Sequence, residues 1–266
     1  MDNGTLSQKE SWKTNWIYIL VIVAVLILYY SVMSVVSPGK KLSEIRSEYG
    51  IKAGDSDKID KNIIYDSAYI RLVKEKGFLR SKIAMAGTDS IYMTVNLADS
   101  VVSLEISGVT VHTCKITKIR TSKIFRTGDE STISGMFGNP LNIINDYSTI
   151  RKEPLMIKTA PRDTSEYRPD IIPDTSYIEP AGYILETDRN VRIFIYQEET
   201  ATLHDKLSLF RFDLNDRIRS AWKSLKRIII FRVPEYQPYI KIRVSKSDAR
   251  ILYRALPLNG QIAVYL

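Results

Sequence analysis

Cysteine and histidine are scarce in this chain of 266 residues, which contains one Cys, Cys114, and two His, His112 and His204. A single thiol cannot form a disulfide within the chain, and it excludes any cysteine-rich metal centre. Two histidines leave little material for a zinc site. The sequence therefore predicts neither a metal nor another cofactor.

One long charge-free run, WIYILVIVAVLILYYSVMSVV, covers residues 16–36. It has the length needed to cross a hydrocarbon layer of roughly 30 Å. Trp12, Trp16 and Tyr18 stand at its N-terminal edge, where amphipathic rings favour the membrane interface. The segment Ser37-Pro38-Gly39-Lys40-Lys41 is expected to end the helix. A cleaved signal peptide is the alternative, but its apolar region usually has about 7–15 residues. We therefore predict an uncleaved single-pass anchor.

A short tail precedes this anchor, and a stalk and a domain follow it. The predicted organisation is a tail at 1–15, a transmembrane helix at 16–36, a juxtamembrane stalk at 37–60 and a β-rich domain at 61–266. The flanking lysines and arginines lean weakly toward a cytoplasmic C-terminal side. Long domains, however, translocate largely regardless of flanking charge. The side of the membrane must therefore be inferred from what the domain is.

Alternation of apolar and polar residues dominates the domain and predicts antiparallel strands with one buried face. The predicted strands are IYMTVNL, VVSLEI, VTVHTCKITKI, EPLMIK (153–158), YILET and VRIFIY. Apolar residues at helical spacing predict helices at 61–80 and from Asp213 onward. Segments rich in Gly, Ser, Asn or Pro, at 127–146 and 160–182, are expected to be loops. The predicted fold class is α+β, mainly β.

The C-terminus has a strand, helix and strand in succession. YIKIRV is the first strand, with Ile240, Ile242 and Val244 on its buried face. Ser245 and Asp248 form a capping-box pattern, in which a hydroxyl at the cap is followed three residues later by a carboxylate. The helix that follows ends near Pro257 and Gly260, and QIAVYL is the last strand.

This closing segment resembles the C-terminal end of the L,D-transpeptidase (YkuD-type) catalytic domain. That family typically ends in a Cys-Ile-Arg strand, a helix start with Asp-Ala, a helix rich in Leu and Tyr, and a Gly before a last strand. The matching residues here are Ile242, Arg243, Val244, Asp248, Ala249, Leu252, Tyr253 and Gly260. The hairpin IYMTVNLADSVVSLEISGVTV is similar to the family's opening strands. The resemblance implies a β-sandwich that closes with the strand–helix–strand, on the periplasmic side of a bacterial inner membrane.

The chain departs from the family at the residues that perform its chemistry. Lys241 occupies the position of the nucleophilic cysteine, and residues 205–240 contain no histidine. Acyl transfer by a thiol needs a thiolate with a base in hydrogen-bond reach. A lysine nucleophile would need an activating environment, and Lys241, beside Arg243, has no paired base in the sequence pattern. The resemblance therefore implies a pseudoenzyme without catalytic residues at the matched positions.

His112 and Cys114 form the alternative catalytic pair, because residues two apart on a strand share a face about 7 Å apart. The opposing interpretation is a buried, inert thiol beside a hydrogen-bonded histidine. If the pair were competent, the protein would be an active transpeptidase or hydrolase.

Tyr239, Lys241 and Arg243 alternate with the buried residues of their strand and are expected to share the opposite face. If the transpeptidase-like fold is correct, that face forms the floor of the substrate groove. Two cations and an aromatic ring suit an anionic partner, such as a peptide carboxylate or an acidic protein segment. The alternatives are a solvated strand face, or internal pairing with the acidic loop at 160–182.

Positive charge is concentrated toward the C-terminus, where the segment from Lys206 to Arg254 has 13 Lys/Arg and 4 Asp/Glu. No nucleic-acid-binding motif accompanies this charge, so we predict no nucleic-acid partner. An acidic protein or anionic lipid headgroups fit a tethered domain better.

The leading hypothesis is a binding or scaffolding module for peptidoglycan or an envelope complex. An interaction subunit of an inner-membrane secretion or motor complex is the runner-up.

Overall fold

The computed structural model describes residues 4–50, 67–152, 179–199 and 202–266. The chain divides into a smaller unit, Met1–Ser47 with Asp216–Tyr236, and a larger unit, Glu48–Asn215 with Gln237–Leu266. Three predictions lie outside the described residues: the strand at 153–158, most of the loop at 160–182, and the stalk from residue 51 to 60.

Helix α1 (Gly4–Tyr49) contains the apolar run and is long and apolar enough to cross a membrane, judged by length and composition. The expected helix end at Ser37-Pro38-Gly39 is wrong, because α1 continues through Pro38. A proline inside a helix removes one backbone hydrogen bond. The following residues are mostly good helix formers, and Lys41 pairs with Glu44 at 3.4 Å across one turn. Both features favour continuation of the helix.

The other described helices are α2 (Ser67–Ala86), α3 (Ile124–Thr127), α4 (Glu130–Phe137), α5 (Leu203–Ile229) and α6 (Lys246–Ala255). The strands are β1 (Ile91–Asn96), β2 (Val101–Ile106), β3 (Val109–Lys115), β4 (Lys118–Thr121), β5 (Leu141–Ser148), β6 (Gly182–Thr187), β7 (Arg192–Gln197), β8 (Tyr239–Val244) and β9 (Gln261–Tyr265).

These strands form one mixed sheet in the order β3-β2-β1-β9-β5-β6-β7-β8-β4. Most neighbours are antiparallel, but β1 with β9 and β7 with β8 are parallel. The two end strands of this order, β3 and β4, are joined by residues 116–117 alone. Because two residues span only a few ångströms, the sheet must curl until its ends approach each other. The amides of Ile116 and Thr117 bond to the carbonyls of Ser100 and Arg243 at this seam.

The structure confirms an α+β protein with a large mixed sheet and one long apolar N-terminal helix, whereas the transpeptidase-like sandwich stays a prediction. The closing strand–helix–strand is confirmed as β8, α6 and β9. In the sheet, however, β7, β6 and β5 separate β8 from β9. Ser245 caps α6 as predicted, accepting a hydrogen bond from the amide of Asp248 at 3.1 Å.

Two predictions of local structure are wrong. The segment 127–146 is not a loop, since it contains α4 and most of β5. Asp129 caps α4 by accepting from the amide of Thr132, and Ile133 and Phe137 on this helix are buried. Helix α5 begins well before Asp213, because the hydroxyl of Thr202 caps it by accepting from the amide of Asp205 at 3.1 Å. The glycines and asparagines of the segment 127–146 obscured its helix and strand patterns. The start of α5 depends on one residue, Thr202.

Candidate functional site

Strand β8 turns alternate side chains to opposite sides of the sheet. Ile240, Ile242 and Val244 are completely buried, and Tyr239, Lys241 and Arg243 are at least partly accessible. The predicted alternation along this strand is therefore confirmed. Strand β7 lies parallel to β8, with Phe194 opposite Lys241 and Tyr196 opposite Arg243. Helix α5 makes the crossover between these strands, as a parallel pair requires.

Lys241 lies against the aromatic side chains of β7. Its ammonium nitrogen is 4.2 Å from the centre of the Tyr196 ring and 5.7 Å from the centre of the Phe194 ring. A cation over an aromatic face is attracted by the negative potential of the ring, most strongly where water is excluded. The side chain keeps about 29% of its surface exposed, so solvent still reaches it. Lys241 is therefore positioned by packing and remains accessible.

Asp213 on α5 supplies the negative charge beside Lys241. One carboxylate oxygen lies 3.6 Å from the lysine nitrogen, and the other accepts a hydrogen bond from the hydroxyl of Tyr196. The carboxylate, the phenol and the ammonium thus hold one another in place. This arrangement stabilises the protonated ammonium, which has no lone pair for attack on a carbonyl carbon.

Arg243 is held more loosely. Its guanidinium lies 3.9 Å from Glu198, and both side chains are about two-fifths exposed. Glu198 also accepts a hydrogen bond from the hydroxyl of Thr117 at 2.9 Å. An exposed pair at this distance contributes little to stability, roughly 0–1 kcal/mol. The guanidinium can therefore exchange Glu198 for another carboxylate at small cost.

These residues border an open cleft of about 310 Å³. The cleft is lined by Tyr196, Gln197, Lys206, Leu209, Phe210, Asp213, Lys241 and Arg243. Its lining has three cations against the single carboxylate of Asp213, so a negatively charged guest is favoured. The volume is at the lower end of the range for small-ligand sites, roughly 300–1,000 Å³. We call this site the Lys241 cleft.

Sequence reasoning placed Lys241 and Arg243 on one face but missed their neighbours from β7 and α5. The alternation in VRIFIY could have identified Phe194 and Tyr196, which share a face opposite Ile193 and Ile195. No pattern identified Asp213, because the crossover angle of α5 decides which of its residues reach the sheet. Tyr239 lies beside Phe194, with 6.1 Å between ring centres. Lys241 pairs with Asp213, and Arg243 pairs with Glu198. Both carboxylates lie outside the acidic loop at 160–182, which was the predicted alternative partner.

Cys114, the thiol of the alternative pair, is buried in β3. Burial, with a smaller contribution from the carboxylate of Asp248, raises the pKa of this thiol from 9.0 to about 12. At neutral pH almost none of it is thiolate, which is the form that attacks carbonyl carbons. This environment matches the inert thiol and not the nucleophile.

His112, the other member of the pair, bonds to α6. Its Nε2 lies 3.0 Å from a carboxylate oxygen of Asp248. The second oxygen of Asp248 accepts from the hydroxyl of Ser245 at 2.6 Å, within the helix cap. His112 therefore connects the edge strand β3 to the start of α6, which is a structural role.

Comparison of the chain with protein families, with curated proteins and with solved structures gave no match. Within the described ranges, no group of three or more His, Cys, Asp and Glu side chains is arranged to hold a metal ion. Conclusions about function therefore depend on the geometry of the sites in this chain.

Proposed function

We propose that this chain is a membrane-anchored binding module whose larger unit is a degenerate L,D-transpeptidase-like domain. In this proposal α1 fixes the chain in a bacterial inner membrane, and the domain faces the periplasm. The Lys241 cleft holds carboxylate-bearing peptides of peptidoglycan, or of an envelope protein that carries similar groups. The module binds its ligand without joining or cleaving it.

The position and surroundings of Lys241 carry this proposal. The residue that stands where the resemblance places a nucleophile is a lysine packed on Tyr196 and paired with Asp213. These neighbours favour the charged amine, which binds anions well and attacks carbonyls poorly. The site therefore retains the properties of a binding groove and lacks those of a thiol enzyme.

Arg243 and Phe210 supply complementary contacts for a peptide. A guanidinium presents two parallel N–H donors that match a carboxylate, and Arg243 is accessible at one side of the cleft. Phe210 is 63% exposed at the helix side and offers apolar area. A peptide with a free carboxylate and short apolar side chains matches both contacts. The stem peptides of peptidoglycan have this chemistry.

Cosedimentation with purified peptidoglycan tests the proposal. The full chain in mild detergent is mixed with isolated sacculi, and the bound fraction is measured as a function of protein concentration. We expect Lys241→Glu and Arg243→Glu each to weaken binding by about tenfold, since each places a like charge beside the guest carboxylate. Lys76→Glu is the matched control, because Lys76 is an exposed lysine on α2. Unchanged binding in both cleft variants would show that the Lys241 cleft does not bind peptidoglycan.

A role as an interaction subunit of a larger membrane complex is the second candidate. It is favoured by Leu203, Leu207 and Phe210, three exposed apolar side chains on the first turns of α5. Exposed apolar patches of this kind are common at protein interfaces. Purification of the chain from its native membranes in mild detergent distinguishes the candidates. A stable assembly with other proteins supports this role, and a lone monomer contradicts it.

A further inference from the structure

The segment Asp216–Tyr236, which contains the second half of α5 and the residues after it, has an exposed apolar face. Its largest exposed side chains are Ile218, Trp222, Ile229, Ile230 and Phe231, and Trp222 is 69% exposed. The positions 218, 222, 225 and 229 recur at intervals of three and four, so they lie along one side of the helix. We call this face, together with Ile230 and Phe231, the Trp222 face.

Positive charge surrounds the Trp222 face. The segment has six Lys/Arg and two Asp/Glu, a net charge of +4 over 21 residues. The basic side chains are all exposed: Arg217, Arg219, Lys223, Lys226, Arg227 and Arg232. A helix with an apolar face and Lys/Arg on the remaining sides is typical of segments that lie in the membrane interface.

The same unit contains α1, and its contacts place this segment beside the apolar run. The Phe231 ring packs against Tyr29 with 5.9 Å between ring centres. The buried hydroxyl of Ser37 donates to the carbonyl of Pro234 at 2.7 Å. Tyr29 lies seven residues before the end of the apolar run, which corresponds to about 10 Å along a helix. Interfacial helices bury their apolar face to a similar depth, about 5–10 Å.

The end of α5 has a backbone feature that agrees with this placement. Phe231 has a φ of 55°, and the amide of Arg232 bonds back to the carbonyl of Arg227 at 3.0 Å. This is the left-handed helix end that glycine usually occupies. A phenylalanine is disfavoured there, and this residue is 82% exposed. Contact of the ring with lipid chains would offset the unfavourable backbone conformation.

From the charge, the contacts with α1 and the exposed rings, we infer that residues 216–236 form a second membrane-binding element. The Trp222 face enters the headgroup region of an anionic bilayer, on the side where the apolar run of α1 ends. The surrounding lysines and arginines bind lipid phosphates. This inference rests on the membrane anchor of the proposed function and is independent of the Lys241 cleft.

Fluorescence of single-tryptophan variants tests the inference in the full chain. The sequence has three tryptophans, Trp12, Trp16 and Trp222. W12F/W16F leaves Trp222, and W12F/W222F leaves Trp16 as a reporter of α1. Each variant is reconstituted into phosphatidylcholine vesicles with or without phosphatidylglycerol, with brominated lipid as the quencher. We expect brominated lipid to reduce Trp222 emission at least twofold in the anionic vesicles, and less in the neutral ones.

The two reporters separate the possible failures. If brominated lipid quenches Trp16 but not Trp222, the anchor holds and this inference is wrong. A Trp222 shielded from aqueous acrylamide but not quenched by brominated lipid would show that protein covers the face, which also contradicts it. If neither reporter is quenched, α1 is outside the bilayer and the anchor of the proposed function fails as well.

Two further variants distinguish lipid binding from a structural role. K223E/K226E should reduce the quenching of Trp222 in anionic vesicles to the level in neutral ones, because the basic side chains provide the preference. Phe231→Gly should relieve the backbone conformation and yet reduce the quenching. Equal quenching in both lipid compositions, unaffected by K223E/K226E, would contradict the role assigned to the charges. Full quenching in Phe231→Gly would contradict insertion of this ring.

Discussion

The ammonium of Lys241 lies 4.2 Å from the centre of the Tyr196 ring, and the hydroxyl of the same tyrosine bonds to Asp213, the carboxylate paired with the lysine. One tyrosine therefore holds both partners of the ion pair. The geometry restrains the lysine side chain and keeps its charge at the border of the cleft. In this account that charge recognises a ligand and performs no chemistry on it.

Removing the charge of Asp213 should strengthen the binding of anions. Asparagine in its place can still accept the hydrogen bond from Tyr196, while the competing negative charge beside Lys241 disappears. We expect Asp213→Asn to raise the affinity for a carboxylate-bearing peptide by about threefold to tenfold, and Lys241→Met to lower it by a similar factor. Fluorescence anisotropy with a labelled stem peptide measures both effects. Equal losses in the two variants would indicate that Asp213 contacts the ligand or maintains the fold.

The two faces of β8 should differ in their contribution to stability. Ile242 is completely buried, so Ile242→Ala should lower the free energy of unfolding by about 2–5 kcal/mol. Lys241→Ala removes a partly exposed ion pair and a ring contact, and should cost about 1 kcal/mol. Chemical denaturation of the two variants gives the comparison. Equal destabilisation would show that the lysine belongs to the core.

Cys114 should be protected from thiol reagents in the folded protein. A pKa of about 12 in place of 9.0 lowers the thiolate fraction at neutral pH by on the order of a thousandfold, and burial restricts access as well. Labelling with iodoacetamide at pH 7.5 should therefore be very slow in native protein and fast in denaturant. Rapid labelling of native protein that disappears in Cys114→Ser would support the hypothesis of an active enzyme that uses Cys114 and His112.

Asp205 should make the stability of the larger unit sensitive to acid. Burial raises its pKa, but hydrogen bonds from Lys246, at 3.2 Å, and Thr202 outweigh this, so the net pKa is lowered. A lowered pKa in the folded state stabilises the protein above the normal Asp range, and this stabilisation is lost as pH falls through the lowered value. Asp205→Asn should cost about 1–3 kcal/mol at pH 7, and the difference should shrink in acid.

The control for this prediction is the pH dependence itself. Unfolding of wild type and Asp205→Asn is followed by chemical denaturation at several pH values between neutral and strongly acidic. A difference that stays constant over the whole range would show that the carboxylate charge is not the source of the effect.

Local sequence patterns act within a few residues, and in the closing segment they predicted the structure correctly. Alternation in YIKIRV identified the buried face of β8, and Ser245 identified the start of α6. The neighbours of Lys241 come from β7 and α5, and only the assembled sheet brings Tyr196 and Asp213 to it. The continuation of α1 through Pro38 was missed because a strong local signal was opposed by many weak helix preferences along the following residues.

The burial of Cys114 illustrates the same limit. Its strand is an edge in the order of the sheet, and sequence alternation predicts one buried side without saying how completely that side is covered. The Asp248 carboxylate that raises its pKa belongs to α6, 134 residues further along the chain. Whether the thiol was reactive therefore depended on long-range packing.

Incubation of the full chain with soluble stem-peptide fragments of peptidoglycan, followed by equilibrium binding and mass spectrometry, tests the central claim most directly. We expect saturable binding that Lys241→Glu weakens by about tenfold, while every fragment is recovered with its original mass. Joined or cleaved fragments that form with wild type and not with Cys114→Ser, or binding that Lys241→Glu leaves unchanged, would contradict it.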